Sequence, residues 1–382
     1  MRRLRRLHLL ILADDFTGAS DAAAPFGAVG RTLVVLSANG ARSLWESTAV
    51  DVLAVDLDLR EATDSEARHR AEAAARALCS ADPDTRVFLK IDSTLRGPIA
   101  GLVAGALRGS GKRIAVVAPA FPEQGRALRE GRVVVDGTPG ASLTAALGMQ
   151  GTALIGARFV SSAADVERAV EHARARGAQR VAFDTDASAG LRSVAAAWQE
   201  HSEWLLVGSG GLTRQVAGLV TAAGALEVPT VHGPILVVAG SPAPTTALQL
   251  ERLRDLGSFT LVRADAPAPL LPASPHGVLV LCTPPTTARD AGESAEAVAD
   301  TVLEWSGSLV PAAVVLAGGA TARKVCERLA VTGLRVSGEL SPGVPIGHLV
   351  GGRWDQVPVV TKAGGFGHPA TLLEIVRALG RV

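Results

Sequence analysis

Short runs of Val, Ile, Leu and Ala alternate with Ala-rich amphipathic stretches from one end of the chain to the other. That is the pattern of an α/β protein with a largely parallel sheet. In the first half, the apolar runs at 7–12, 32–36, 52–55, 87–91, 114–118, 181–183 and 205–207 predict strands. Between them, 65–78, 163–175 and 211–222 have the length and apolar spacing of helices. The periodicity lapses over 227–234 (EVPTVHGP), and a clean strand then starts at 235. From there the pattern reads strand 235–239, helix 245–256, strand 278–281, helix 291–305, strand 313–316, helix 320–330, strand 357–360 and helix 368–379. The fold class predicted is α/β, with two α/β domains (1–229 and 235–382) whose largely parallel sheets flank a ligand cleft. Loops at the carboxyl ends of the strands should carry the chemistry.

Length and composition narrow what that chemistry acts on. The 382 residues suit two domains, and 48% hydrophobic with 20% charged residues supply packed cores without a signature of disorder. Aromatics are 3% with no Tyr, so Ala, Val and Leu must fill the cores and a stacking surface for single-stranded nucleic acid is disfavoured. A net charge of +1 with scattered cations argues against a nucleic-acid partner and for a small ligand. Only four of the 38 basic residues are lysines (Lys90, Lys112, Lys324 and Lys362), so a Lys is a departure to explain.

Cys79, Cys282 and Cys326 are odd in number and form no CxxC pair, which fits a reducing compartment. Apolar runs such as 235–239 fall far below the roughly 20 residues that span a membrane. The opening MRRLRRLHLLILADD mimics a signal peptide but runs into Asp14 and Asp15 where a cleavage site needs small neutral residues. A cytoplasmic protein without a membrane partner is expected, and a homodimer is left open.

Two polar clusters stand at predicted strand ends of the first half. ADDFTGASDAA (13–23) sets Asp14 and Asp15 before Thr17, Gly18, Ser20 and Asp21, at what should be a helix start. Helix capping explains one such residue, whereas the set offers N–H donors for an anion and carboxylates that could accept a hydroxyl proton. KIDSTLRGPI (90–99) brings Lys90, Asp92, Ser93, Thr94 and Arg96 to one loop, a composition suited to a substrate carboxylate and its neighbouring hydroxyls. The competing reading is a solvated, salt-bridged turn. VAPAFPEQGR (117–126) is a rigid loop carrying Glu123, Gln124 and Arg126, and GSGGL (208–212) is a structural turn or a minor substrate contact.

In the second half, VVAGSPAPTT (237–246), LAGGATA (316–322) and TKAGGFGHP (361–369) each place Gly or a hydroxyl residue just before a helix, where backbone N–H groups approach phosphate. Lys362 adds a point cation to the last of them. Neither GxxxxGK[ST] nor GxGxxG after a strand is present, so a Walker P-loop and a dinucleotide site are disfavoured.

Together these motifs, in this order, resemble the four-carbon acid sugar kinase family, over 14–367. The resemblance implies ATP-dependent kinases of threonate, erythronate or 3-oxo-tetronate, with an N-terminal domain for the acid sugar and a C-terminal domain for ATP with Mg²⁺. Carried over by motif, Asp14, Asp15 and Asp92 are candidate catalytic carboxylates, and Lys90, Ser93 and Arg96 candidate substrate ligands. Ser241, Gly318, Gly319 and Gly364, with Lys362 beside them, are candidates for the nucleotide. The chain departs from the family at Ala320, where Glu is usual, and in a shorter segment after VDGTP (135–139). A sugar-acid sensor that has lost its chemistry is the alternative, and a nicotinamide-dependent oxidoreductase a weaker third.

Overall fold

A computed structural model describes residues 8–28, 30–39, 41–42, 45, 50–79, 85–220, 226–257, 259–264, 270–271, 277–283 and 291–380. The chain forms two compact units, Met1–Gly224 and Ala225–Val382. The fold is mixed α/β, as the sequence pattern predicts.

In the first unit, β1 (Leu9–Ala13), β2 (Thr32–Val35), β3 (Val52–Asp56), β4 (Arg86–Lys90), β5 (Ile114–Ala118), β9 (Thr152–Ile155), β10 (Arg180–Phe183) and β11 (Trp204–Gly208) run parallel in the order β2-β3-β1-β4-β11-β5-β10-β9. Every residue of β1, β3, β5 and β11 is buried, as in parallel sheets covered by helices on both faces. The register aligns Asp56, Ala13, Lys90, Gly208 and Ala118 across five neighbouring strands. The loops after these residues therefore emerge side by side.

Helices Asp64–Cys79 and Ile99–Ser110 pack backbone against backbone. A Cβ on Gly101, Gly105 or Gly109 would fall on the carbonyl oxygen of Asp64, Arg68 or Glu72 respectively. The sequence pattern leaves 99–110 unassigned because those glycines depress helix propensity. Close packing overrides it.

Also unpredicted is a small antiparallel sheet of β6 (Arg126–Arg129), β7 (Arg132–Val135) and β8 (Thr138–Ser142). Its two turns place Glu130 and Gly131, then Asp136 and Gly137, at positive φ, the two-residue hairpin geometry that Xaa-Gly pairs favour. Asp184 accepts from the amides of Glu130 (3.0 Å) and Gly131 (2.9 Å), which fixes the first turn.

The second unit orders β13 (Thr260–Arg263), β14 (Val278–Cys282), β12 (Ile235–Ala239), β15 (Ala313–Ala317) and β18 (Pro358–Lys362) in parallel. The hairpin of β16 (Gly333–Ser341) and β17 (Val344–Val350) joins them antiparallel through β17. Sequence periodicity missed this hairpin because shifts around Gly338 and Glu339 break the alternation. Cys282, Ala239, Ala317 and Lys362 stand in register at the strand ends. Ala239 lies at the reversal of strand order, where open α/β sheets bind ligands.

Candidate active site

Asp14 and Asp15 follow β1 directly. Asp15 caps helix Phe16–Ala23, its Oδ1 accepting from the Gly18 amide at 2.7 Å and its Oδ2 from the Thr17 hydroxyl at 3.2 Å. Its side chain remains 24% exposed, whereas Asp14 is fully buried with Oδ1 unpartnered. Burial pushes the Asp14 carboxyl up, against the pull of Arg60. Capping and an open carboxylate edge coexist at Asp15.

Arg60, which the sequence reading did not single out, reaches all three aspartates from the loop after β3. Its Nε lies 2.6 Å from Asp14 Oδ2, Nη2 3.2 Å from Asp15 Oδ1 and Nη1 3.5 Å from Asp92 Oδ1. Asp92 is gripped more firmly still, by an Arg96 fork (both N···O 2.9 Å) and by the Thr94 hydroxyl. Burial alone would raise the Asp92 carboxyl, yet Arg96, Arg60 and Thr94 together hold it well below the usual carboxylate range.

Lys90 ends β4 at 5% exposure with no hydrogen bond or ion pair from its ammonium among the described residues. A Cβ on Gly18 would overlap Asp15 Oδ1 and lie 3.2 Å from Lys90 Nζ, so the glycine keeps this corner open. Ser93 accepts from Arg126 Nη1 at the start of β6, so the 117–126 motif also reaches this cluster. The structure thus gathers Asp14, Asp15, Lys90, Asp92, Ser93 and Arg96 into one array at the strand ends, and adds Arg60 and Arg126.

GSGGL proves to be a packing device. Gly208 and Gly211 abut the carbonyls of Ala118 and Ala120, and a side chain on Gly210 would overlap Asp21 Oδ2. Asp21 is itself buried with Oδ1 unpartnered, and burial raises its carboxyl despite Lys90, Arg214 and Arg126 nearby.

In the second unit the three glycine loops converge on Ser241. A Cβ on Gly318 would lie 2.9 Å from Ser241 Cβ, and one on Gly364 would overlap Ser241 Oγ. Gly318, at φ +112, opens helix Gly319–Arg328, and its amide donates to Lys362 O at 2.9 Å. Lys362 Nζ donates to the carbonyls of Ala363 (2.9 Å) and Gly364 (3.3 Å), and burial lowers its pKa to about 8. From Ser241 a cavity of about 360 Å³ extends over Ala247, Leu250, Phe259, Leu261 and Cys282.

Two family models cover these units: a sugar-binding N-terminal domain over 9–216 and a nucleotide-binding C-terminal domain over 236–372. The chain is 31% identical to a D-threonate kinase of Bordetella bronchiseptica (97% of this chain, 96% of that one) and 28% identical to the Salmonella typhimurium D-threonate kinase (96% and 97%). Relatives named 3-oxo-tetronate kinase and D-erythronate kinase also match, at 29% and 25% identity. The chain belongs to the four-carbon acid sugar kinase family.

The fold agrees: a solved structure from Salmonella typhimurium LT2 superposes with a TM-score of 0.80 at 21% identity, covering 97% of this chain and 99% of that one. For a sugar-acid kinase the first unit has the right chemistry, a carboxylate with an open edge beside cations that a substrate anion could engage. The Ser241 region offers hydroxyls and amides, donors for phosphate oxygens. Among the described residues no group of three or more His, Cys, Asp or Glu could hold a metal ion, so those donors do not form a metal cage. Ala320, exposed in the first turn after Gly318, adds no carboxylate there. Among the described residues no helix is long and apolar enough to cross a membrane.

Proposed function

We propose that the chain is an ATP-dependent kinase that transfers the γ-phosphoryl group to a hydroxyl of a four-carbon sugar acid of the threonate, erythronate or oxo-tetronate type. The carrying observation is the array around Arg60, in which Asp15 alone of the three aspartates keeps substantial exposure. Asp14 is sealed and Asp92 is locked to Arg96, so Asp15 is the base, with Asp14 and Asp92 as supporting carboxylates. Lys90, Ser93 and Arg96 hold the substrate carboxylate and hydroxyls.

Asp15 takes the hydroxyl proton as the oxygen bonds to the γ-phosphorus and the bond to the bridging oxygen breaks, releasing ADP. Phosphoryl transfer asks mainly for positioning and charge neutralisation. Mg²⁺ enters with ATP as part of the substrate. Phosphates meet Ser241, Gly318, Gly319, Gly364 and Lys362, and the base occupies the cavity over Leu250 and Phe259.

A coupled ADP-release screen over D-threonate, D-erythronate and 2- and 3-oxo-tetronates tests the activity. Asp15→Asn should lower kcat by roughly 10² or more, the order expected of a general base, while nucleotide affinity stays near wild type. Wild-type kcat in that variant would make Asp15 a helix cap only. Tight binding of one acid with no turnover of any would favour the sensor.

A further inference from the structure

The loop after β3 carries no motif, yet its Arg60 is the residue around which the two substrate motifs are built. The side chain is 17% exposed and one guanidinium faces three carboxylates from two loops. Both neighbours of this arginine are shaped to admit it. Leu59 N donates to Asp14 O at 2.9 Å, tying the loop to the end of β1. Gly97, at φ +87, packs against Arg60, and a Cβ there would lie 3.1 Å from Arg60 O and 3.4 Å from Cδ. The glycine of KIDSTLRG is thus favoured both by its positive φ and by the approach of Arg60.

Stability alone is a poor reason for this construction, because buried ion pairs are frequently no better than apolar side chains of similar volume. Three aspartates this close repel one another unless a shared cation neutralises them. We propose that Arg60 is a positioning residue that fixes the geometry of the Asp14, Asp15 and Asp92 array and neutralises part of its charge, holding Asp15 toward the substrate hydroxyl. The proposal rests on the kinase reading for its link to turnover. Its electrostatic content is independent of turnover: Arg60 lowers the carboxyls of Asp14 and Asp92. The charged groups around the array are Lys90 from β4, Arg96 and Asp92 from the following loop, Asp21 from helix Phe16–Ala23, Arg126 from β6, Arg214 acting on Asp21, and Arg60 itself.

The test compares wild type with Arg60→Gln and Arg60→Lys, each checked for a cooperative unfolding transition. Arg60→Gln should lower kcat roughly 10²-fold and leave the KM for ATP unchanged. Arg60→Lys should restore at least about a tenth of wild-type kcat, since Lys keeps the charge but lacks the fork. In parallel, ¹³C-carboxyl spectra, assigned with Asp14→Asn and Asp92→Asn, should show both titrations displaced upward in Arg60→Gln. Lost kcat with unmoved Asp14 and Asp92 carboxyl titrations would overturn the proposal and leave Arg60 a fold-stabilising residue. If no acid is turned over by wild type, the kinase reading falls, and the carboxyl titrations still decide whether Arg60 sets the charge of the array.

Discussion

Lys362 offers a test in which stability and function pull in opposite directions. Its side chain is 1% exposed, and burial takes its pKa from 10.5 down to about 8. Because the folded value is depressed, the native state holds the proton less tightly than the unfolded chain. Below about pH 8 both states are protonated and the native state carries the whole penalty, about 3 kcal/mol at about 1.4 kcal/mol per unit. As pH rises from about 8 to 10.5 the unfolded chain binds more protons than the native state, so this contribution to stability rises with pH.

Other groups titrate too, so the readable quantity is the difference between wild type and Lys362→Met in urea unfolding. Relative to the variant, wild type should gain about 2 kcal/mol between about pH 7 and about pH 9.5. The hydrogen bonds to Ala363 and Gly364 are lost in the variant at both pH values and cancel in the comparison. Saturating ATP should flatten the dependence, because phosphate beside the ammonium restores its affinity for the proton. A difference constant to within about 0.5 kcal/mol without ATP would refute the burial argument, being far below the about 2 kcal/mol expected over that window. A full dependence that ATP leaves untouched would make Lys362 a scaffold for its own loop, with no part in holding phosphate.

Gly364→Ala sets a methyl onto Ser241 Oγ and 3.4 Å from Ala243 Cβ, so the KM for ATP should rise about tenfold or more, a change of about 1.4 kcal/mol, while the KM for the acid sugar holds. Equal changes in both constants, from steady-state kinetics, would contradict two separate sites. Gly105→Ala should destabilise by about 1–3 kcal/mol despite the roughly 1 kcal/mol by which helix propensity favours Ala, because its Cβ meets the Arg68 carbonyl. Gly218→Ala, in helix Gly210–Val220 with open space around it, should stabilise by up to about 1 kcal/mol, and thermal melts of the two variants should move in opposite directions.

The glycine pair also shows where sequence reasoning stopped. Strands such as β5, β12 and β15 are apolar throughout and were legible from hydrophobicity alone. Helix Ile99–Ser110 was not, because its glycines at four-residue spacing look like helix breakers until the partner backbone is seen lying in the groove they leave. The β6–β8 sheet had a usable signal, Glu130-Gly131 and Asp136-Gly137 flanking a Val-rich strand, that a reading centred on strand–helix alternation passes over. In the array, motif density found the aspartates and Lys90. Arg60 sits in an unremarked stretch, and only the order β3-β1-β4 carries it to them.

Lysine scarcity is informative only once burial is added. Lys112 donates to the Thr85 carbonyl at 2.9 Å, and Lys324 lies at a helix surface paired with Glu296 and Glu327. Both do ordinary structural tasks. Lys90 and Lys362 are different because each is buried at a strand end with no carboxylate in ion-pair contact among the described residues. A buried cation is costly unless paired or otherwise compensated, so a chain selected only for packing would place an apolar residue at both positions. At Lys90 part of the compensation comes from Asp14 and Asp21, whose carboxyls its charge pulls down, whereas Lys362 meets only carbonyl oxygens among the described residues, and the proposed nucleotide phosphate would supply the anion missing there.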